Sequence, residues 1–350
     1  MEQVARRVTI ADVAEKAGVS KTAVSFAYNN PDRLNAATAS RILDIAHGLG
    51  YRPDPVARML TQRRTGSIGV LTPQDLSVIF TNPFFGAFSA GIASGAEASG
   101  YALHFISPLH GSLTRAIHRA TVDGVVAIGL TDDHPEIDEV RRAGLPMVLV
   151  DSNTTGEVAS VDVDDEGGAR LAAAHLLALG HRDIGILAID GPRATTSDEN
   201  GVVNRRLRGY RSTLAEAGID VDADEIVVGP ASIAGGREAF GRLWATGRRP
   251  SAILAMSDAM AIGAIGVMHD RGLAIPAEIS VVGFDDVDLA ASTDPPLTTV
   301  HQPVRAKGET AVRLLLSVIE GRDASPGHRR LETRLVVRSS TGPVPQAQRR

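Results

Sequence analysis

Residues 9–30 read TIADVAEKAGVSKTAVSFAYNN. Two short amphipathic segments flank Gly18, and each follows a hydroxyl residue, Thr9 or Ser20, of the kind that caps a helix. Val13, Ala14 and Ala17 share one face at helical spacing. Gly18 supplies the left-handed backbone that ends the first helix, Ile10–Lys16. Ser20 then caps a second helix from Lys21 to about Asn29, with Val24 pointing inward. A small residue where the helices cross, a glycine in the turn and an aliphatic lock on the second helix form the pattern of a helix-turn-helix. That arrangement leaves the N-terminal end of the second helix free to enter a major groove. An ordinary helical hairpin is the competing reading. A third helix is expected over Ala36–Leu49, capped by Asn35, ended by Gly50 and packed through Ile42, Leu43, Ile45, Ala46 and Leu49.

Charge separates this head from the rest of the chain. Residues 1–64 hold ten Lys and Arg against six Asp and Glu, a surplus of four positive charges. The whole chain of 350 residues has a net charge of −5, so the remainder carries −9. A basic head on an acidic body suggests a polyanion-binding module joined to something else. There are no cysteines, which removes disulfides and thiolate metal sites and agrees with a cytoplasmic location. No apolar run reaches the roughly 18 residues that a membrane span needs. MEQVARRVTI lacks the apolar core of a secretory signal.

From Ser67 the pattern changes to short apolar runs alternating with helical segments: SIGVLTP, ALHFIS, VDGVVAIG, PMVLVD, DIGILAI, EIVVG, AILAMSD and ISVVGFDD. Such alternation predicts parallel sheets covered by helices on both faces. There are too many strands for one sheet, so two doubly wound lobes are expected, with a ligand crevice at the carboxyl ends of the strands. The fold class is therefore α + α/β, a three-helix head with a two-lobed body. Enzyme signatures are missing: there is no G-x-S-x-G, no G-x-x-x-x-G-K-[ST] and no H-E-x-x-H. The chain reads as a non-enzyme without cofactor or metal.

TIADVAEKAGVSKTAVSFAYN, LGYRP and VARML together resemble the DNA-binding head of the lactose-repressor (LacI/GalR) family. LALGHRDIGIL, RRLRGY, AILAMSDAMAIGAI and ISVVGFDDVDLAASTDPPLTTVHQP resemble the periplasmic-binding-protein type I core that these repressors share with bacterial sugar receptors. The resemblance covers nearly the whole chain. It implies a head with hinge helix over 1–64 (hinge about 54–61) and an effector-binding and dimerisation body over 65–350. The N-lobe would comprise about 66–163 and 292–325, and the C-lobe about 164–291 and 326–340. By position, Lys21, Thr22 and Phe26 would face base edges, and Thr9, Ser20, Ser25, Asn29 and Arg33 would hold phosphates. Ala57 lies in the hinge helix, whose Leu60 would wedge into the minor groove. The family often has arginine where this chain has Phe26. Phenylalanine touches only apolar edges such as a thymine methyl, so the operator sequence is not transferable. Packing of Phe26 into the head's core is its alternative role.

In the body, the resemblance implies that Asp151 and Asp285 accept hydrogen bonds from ligand hydroxyls while Arg206 donates. Phe84 or Phe85 would form an apolar wall. Ser257 stands where the family often has asparagine. Structural alternatives are a strand-end role for Asp151, capping roles for Asp285 and Asp286, and Arg205 or Arg208 as the inward arginine. Gln302 lies near the cleft or a dimer surface, and Trp244 and His181 read as packing. The implied function is a transcriptional repressor controlled by a small, sugar-like effector, pairing as a homodimer on a pseudo-palindromic double-stranded DNA operator. A periplasmic-type binding or receptor protein without DNA function is the alternative.

Overall fold

The computed structural model describes residues 8–54, 59, 64–152, 154, 156–190, 201–221, 225–322 and 327–344. The chain divides into two units, Met1–Thr65 and Gly66–Arg350.

In the first unit, α1 (Ile10–Ala17), α2 (Lys21–Asn29) and α3 (Ala36–Gly48) enclose a small core. Val13, Ala14, Ala17, Val24, Ala27, Ile42 and Ala46 are its buried residues. Gly18 adopts φ 64°. The amide of Val19 returns to the Ala14 carbonyl at 3.0 Å, and that of Gly18 caps the same turn. These bonds satisfy carbonyls that the end of α1 would otherwise leave open. The Arg41 guanidinium also donates to the Ala17 carbonyl at 2.7 Å, tying α3 to this turn. Leu43 departs from expectation: it is 37% exposed. The buried contacts of α3 in the head's core are made by Ile42 and Ala46, four residues apart on one face, and Leu43 lies on the flank of that face.

The second unit contains two six-stranded sheets. The first has the order β11-β5-β4-β3-β1-β2 and the second β12-β10-β9-β8-β6-β7. Their strands are β1 (Ser67–Leu71), β2 (Ala102–Ile106), β3 (Gly124–Ile128), β4 (Met147–Val150), β5 (Ser160–Val163), β6 (Ile184–Ile189), β7 (Ile226–Gly229), β8 (Ala252–Ala255), β9 (Ser280–Asp285), β10 (Thr298–His301), β11 (His328–Leu331) and β12 (Arg334–Val336). All pairings are parallel except β10 with β12. Continuous apolar runs such as VVAI and MVLV are fully buried, as strands covered on both faces must be.

Five helices position the site: α4 (Pro83–Ala98), α5 (Asp165–Ala178), α6 (Val202–Glu216), α7 (Asp258–Asp270) and α8 (Val304–Ile319). Helices α4 and α8 meet at glycines. A Cβ on Gly91 would lie 2.0 Å from the Arg305 carbonyl oxygen, and one on Gly308 would lie 2.5 Å from that of Phe88. The close approach lets Ile92, Val312 and Leu315 share one core.

The strand assignments correct the expected lobe boundaries. Segment 292–325 does not belong to one lobe, because β10 pairs with β9 in the second sheet, and Val300 is buried in that lobe's core. The crossover comes after His301. Likewise β11 pairs with β5 in the first sheet, leaving β12 in the second. Trp244 packs near Phe240, with ring centroids 5.5 Å apart. His181, fully buried, bonds Ser251 at 2.9 Å and the Gly342 carbonyl at 3.0 Å, fastening the late segment to the second lobe.

Candidate functional site

Two groups of side chains stand out, one in each unit. On the head, Lys21 and Thr22 are exposed on the first turn of α2. Ser20 accepts from the Ala23 amide at 3.1 Å as N-cap, leaving its own hydroxyl proton for another acceptor. Thr9 is engaged differently. It forms a capping box with Asp12, donating both its amide and its hydroxyl to Asp12 Oδ2 at 2.8 Å. Asn29 donates to the Ser25 carbonyl at 3.1 Å, so these two residues hold each other at the end of α2. Phe26 is half-buried but outside the head's core; the Arg33 guanidinium covers its ring at 5.3 Å. Lys21, Thr22, Phe26 and Arg33 therefore all remain at the surface to some degree. The expected hinge residues Ala57 and Leu60 lie outside the described residues.

In the body, a cavity of about 330 Å³ is lined from both sheets. Asp151 follows β4 and Asp285 ends β9. Phe84 and Phe85 on the first turn of α4, Arg206 on α6 and Ser257 also line it, so all six expected residues are brought together. The crevice lies where the parallel strands end, as a doubly wound topology requires. Phe84 and Phe85 meet edge to face with centroids 5.5 Å apart. They serve as cavity wall and as packing for the first lobe's core. Ser257 is the N-cap of α7, accepting from the Met260 amide at 3.2 Å.

The acids sit in unusual backbone conformations. Asp151 has φ 61°, Asp286 φ 58° and Asp285 φ 128°. Aspartate tolerates the first two; the third is rarely populated by residues with a Cβ, and such strain concentrates at functional sites. Asp286 turns away from the cavity toward Arg338 and toward His301 at 2.9 Å. Burial opposes its ionisation, but those two partners outweigh burial and hold its pKa low. Asp286 thus takes the structural role, and Asp285 faces the cavity.

Arg206 is the arginine that lines the cavity, but it is not isolated. Its Nε donates to Asp165 Oδ1 at 2.8 Å, and its Nη1 donates to the Met256 carbonyl and stands 3.8 Å from Asp285 Oδ1. Its guanidinium stacks on Phe284 at 3.6 Å. Arg205 completes a fork on the other oxygen of Asp165, at 2.6 Å. Burial alone would raise the Asp165 pKa, but Arg206 and Arg205 outweigh it and hold the group ionised. Asp285 differs: burial dominates and pushes it up to about 7, despite Arg206. Burial also raises Asp151, against the opposing charge of Lys307. Among these residues, Asp165 and Lys307 were not singled out from the sequence. Asp165 reads there as an ordinary acid at a helix start. Lys307 carried a signal: it shares a helical stripe with Val304, Gly308, Ala311 and Leu315, the buried face of α8. Gln74, Asn82, Thr131, Asp190 and Asn204 add polar groups to the cavity wall.

Among the described residues, no helix is long and apolar enough to cross a membrane, and no cluster of His, Asp and Glu could hold a metal ion.

Comparison with known proteins gives concordant matches for the two units. Residues 9–54 match the family described as bacterial regulatory proteins, lacI family. Residues 173–341 match the periplasmic binding protein-like domain. The HTH-type transcriptional regulator IpsA of Corynebacterium glutamicum is 36% identical, over 96% of this chain and 98% of its own length. The solved structure of the Lac repressor dimer bound to operator and the anti-inducer ONPF aligns with a TM-score of 0.80 at 29% identity, covering 96% of this chain and all 100% of the other. The complex of the transcriptional regulator CelR with cellobiose aligns with a TM-score of 0.69 at 30% identity, covering 95% of this chain and 100% of the other.

Proposed function

The chain belongs to the lacI family of bacterial regulatory proteins and is a DNA-binding transcriptional regulator, and from that premise we propose that it is a cytoplasmic repressor. It works as a homodimer on a pseudo-palindromic operator and responds to a sugar-like effector held between the lobes of its body. The observation that carries the effector reading is the convergence of Asp151, Asp285 and Arg206 on one cavity walled by Phe84 and Phe85. Carboxylates accept from hydroxyls, a guanidinium donates to ring or hydroxyl oxygens, and aromatic faces cover the C–H face of a ring. The CelR complex holds cellobiose, which makes sugars the first class to test.

Lys21 and Thr22 read base edges on this proposal, Phe26 contacts an apolar edge, and Ser20, Ser25, Asn29 and Arg33 hold phosphates. Thr9 joins them by releasing Asp12. Ala57 and Leu60 enter the minor groove from the hinge. A single recognition helix reads few base pairs, so two-fold pairing supplies the length of site that specificity needs. Operator and effector must then be coupled reciprocally: each changes the affinity of the other by one common factor.

The test has two steps. Operator sites are selected from random DNA with the full-length protein, and binding is followed by fluorescence anisotropy. Sugars, polyols and nucleobases are then screened by thermal shift, and each hit is added to the operator complex. A sugar or polyol that changes operator affinity supports the reading. A nucleobase hit would replace the sugar class, and operator binding insensitive to every hit would remove the cavity from regulation.

A further inference from the structure

Lys307 is fully buried on α8, within the first lobe. Its Nζ donates to Asp151 Oδ1 at 2.6 Å and to Gln302 Oε1 at 2.6 Å. Gln302, 1% exposed, lies just past β10 at the crossover between lobes and turns its Nε2 to Asp285 Oδ1 at 2.6 Å. The chain of contacts is continuous: Asp151 at the end of a first-sheet strand, Lys307, Gln302, then Asp285 at the end of a second-sheet strand. Both acids line the cavity. A second connection runs behind it, where Arg205 bonds Asp165 and reaches the Asp151 carbonyl at 3.4 Å.

We propose that Lys307 is a positioning residue of the cleft, and that with Gln302 it forms a buried tether fixing Asp151 of one lobe against Asp285 of the other. This rests on the reading of the cavity as the effector site only for its regulatory meaning; the tether itself is a property of the effector-free protein. A buried ammonium is tolerated only with close, well-aligned partners. Here one partner is a carboxylate and the other an amide oxygen whose far side must then present N–H groups to Asp285. The lysine thus orients the glutamine, and the glutamine joins the lobes. The remaining charged groups are arranged around this line rather than in it. Arg206 stands beside Asp285, and Asp258 acts on the same carboxyl, while Asp165 and Asp162 act on Asp151. Phe84 closes the lysine from the α4 side, its centroid 5.4 Å from Nζ. An effector that replaces either hydrogen bond to Asp151 or Asp285 competes with the tether, which gives it leverage over the lobe angle.

The test measures inter-lobe distance in the full chain without effector. The sequence contains no cysteine, so Ala98→Cys and Ala215→Cys, both exposed, take spin labels on the two lobes cleanly. Labelled chains are diluted with unlabelled ones so that each assembly carries one labelled pair. Wild type should give one narrow distance distribution from pH 5.5 to 8.5, because the Gln302 N–H donates to Asp285 in either ionisation state. Loss of one charge-assisted bond changes a two-state equilibrium by about tenfold or more. Lys307→Met should therefore raise a second, longer population from about 1% to about 10% or beyond. Gln302→Glu supplies the independent arm, since it keeps a partner for Lys307. Protonated, its hydroxyl donates to Asp285 and restores the tether; ionised, it faces Asp285 as a like charge. That variant should be closed at pH 5.5 and open at pH 8.5. A distribution unchanged in Lys307→Met, whatever its melting temperature, would reduce the lysine to packing and overturn the proposal. A pH-invariant Gln302→Glu would overturn it equally, and decides the matter if the lysine variant does not fold.

Discussion

Replacing Asp285 by asparagine should stabilise the body in alkaline solution while weakening its response to effector. Asp285 is 3% exposed and its carboxyl has been pushed up to about 7 by burial, from an ordinary 3.8. That position already includes the help of Arg206, Gln302 and Lys307. Because the folded pKa lies above the unfolded one, the folded protein binds this proton more tightly than the unfolded chain. Its contribution to stability is complete below about pH 4 and is lost as pH rises through about 7. Each pH unit in that window is worth about 1.4 kcal/mol. Between pH 5 and pH 8 the wild type traverses about two such units, a loss of roughly 3 kcal/mol from this group. Asparagine mimics the protonated acid in shape, can still accept from Gln302, and does not titrate. The stability gain of Asp285→Asn should therefore grow by roughly 3 kcal/mol between pH 5 and pH 8. At roughly 2–4 °C per kcal/mol for a unit of this general size, the mutant's melting advantage should widen by about 6–12 °C. Scanning calorimetry of the full chain at the two pH values measures it directly. A difference between mutant and wild type that does not change with pH, or that reverses sign, would show that Arg206 and Lys307 compensate the ionised carboxylate fully.

Other substitutions separate the remaining roles. Exchanging Lys21 and Thr22 should redirect site selection from random DNA, with about 1–3 kcal/mol of discrimination lost per broken base contact; recovery of the wild-type site would remove them from base reading. Gly91→Val should destabilise the body by several kcal/mol on the scale of severe overpacking, since its Cβ meets the Arg305 backbone rather than a movable side chain; a normal denaturant midpoint would show that α4 and α8 can separate freely. Tyr210→Phe should be neutral or stabilising by up to about 1–3 kcal/mol, because the buried hydroxyl has no hydrogen-bond partner among the described residues; a clear loss of stability would mean that an internal water satisfies it. Ser20→Ala should cost the head about 1 kcal/mol through its lost cap and also weaken DNA binding, whereas an unchanged helix melting curve would argue against the cap.

Much of this architecture was legible because its signals are local. A glycine at φ 64° ends α1 whatever surrounds it, and a hydroxyl before Ile10 or Lys21 caps a helix through atoms three residues away. Strand runs such as VVAI declare double-sided burial by their composition. The alternation of strands and helices placed a crevice at the strand ends, but the choice of Asp151 and Asp285 as residues facing it came from the resemblance to the lactose-repressor family, and both line the cavity. The lobe boundary at β10 was less accessible. TTVH is a short run that could extend either sheet, and only its pairing with β9 decides. Leu43 failed for a related reason: α3 carries apolar residues on more than one face, and the helices it meets determine which face is covered.

The harder omissions were Asp165 and Lys307, and both follow from one physical fact: a buried charge is intelligible only with its partners. Nothing near Asp165 in sequence announces that Arg205 and Arg206, some forty residues later, will take one oxygen each. Lys307 lies farther still from its partner Asp151, 156 positions along the chain. A lysine on an apolar helical stripe is a warning that such a partner exists, because an unpaired ammonium there would cost more than a domain can spare. The stripe identifies the charge; only the fold identifies what neutralises it. That asymmetry also bears on why the acids proposed for the effector site and the proposed tether coincide. Strand ends are where the two sheets approach, so they are where carboxylates can meet both a ligand and a buried cation. If both proposals hold, the elements that recognise an effector are the elements that hold the lobes, and effector binding should change the lobe angle.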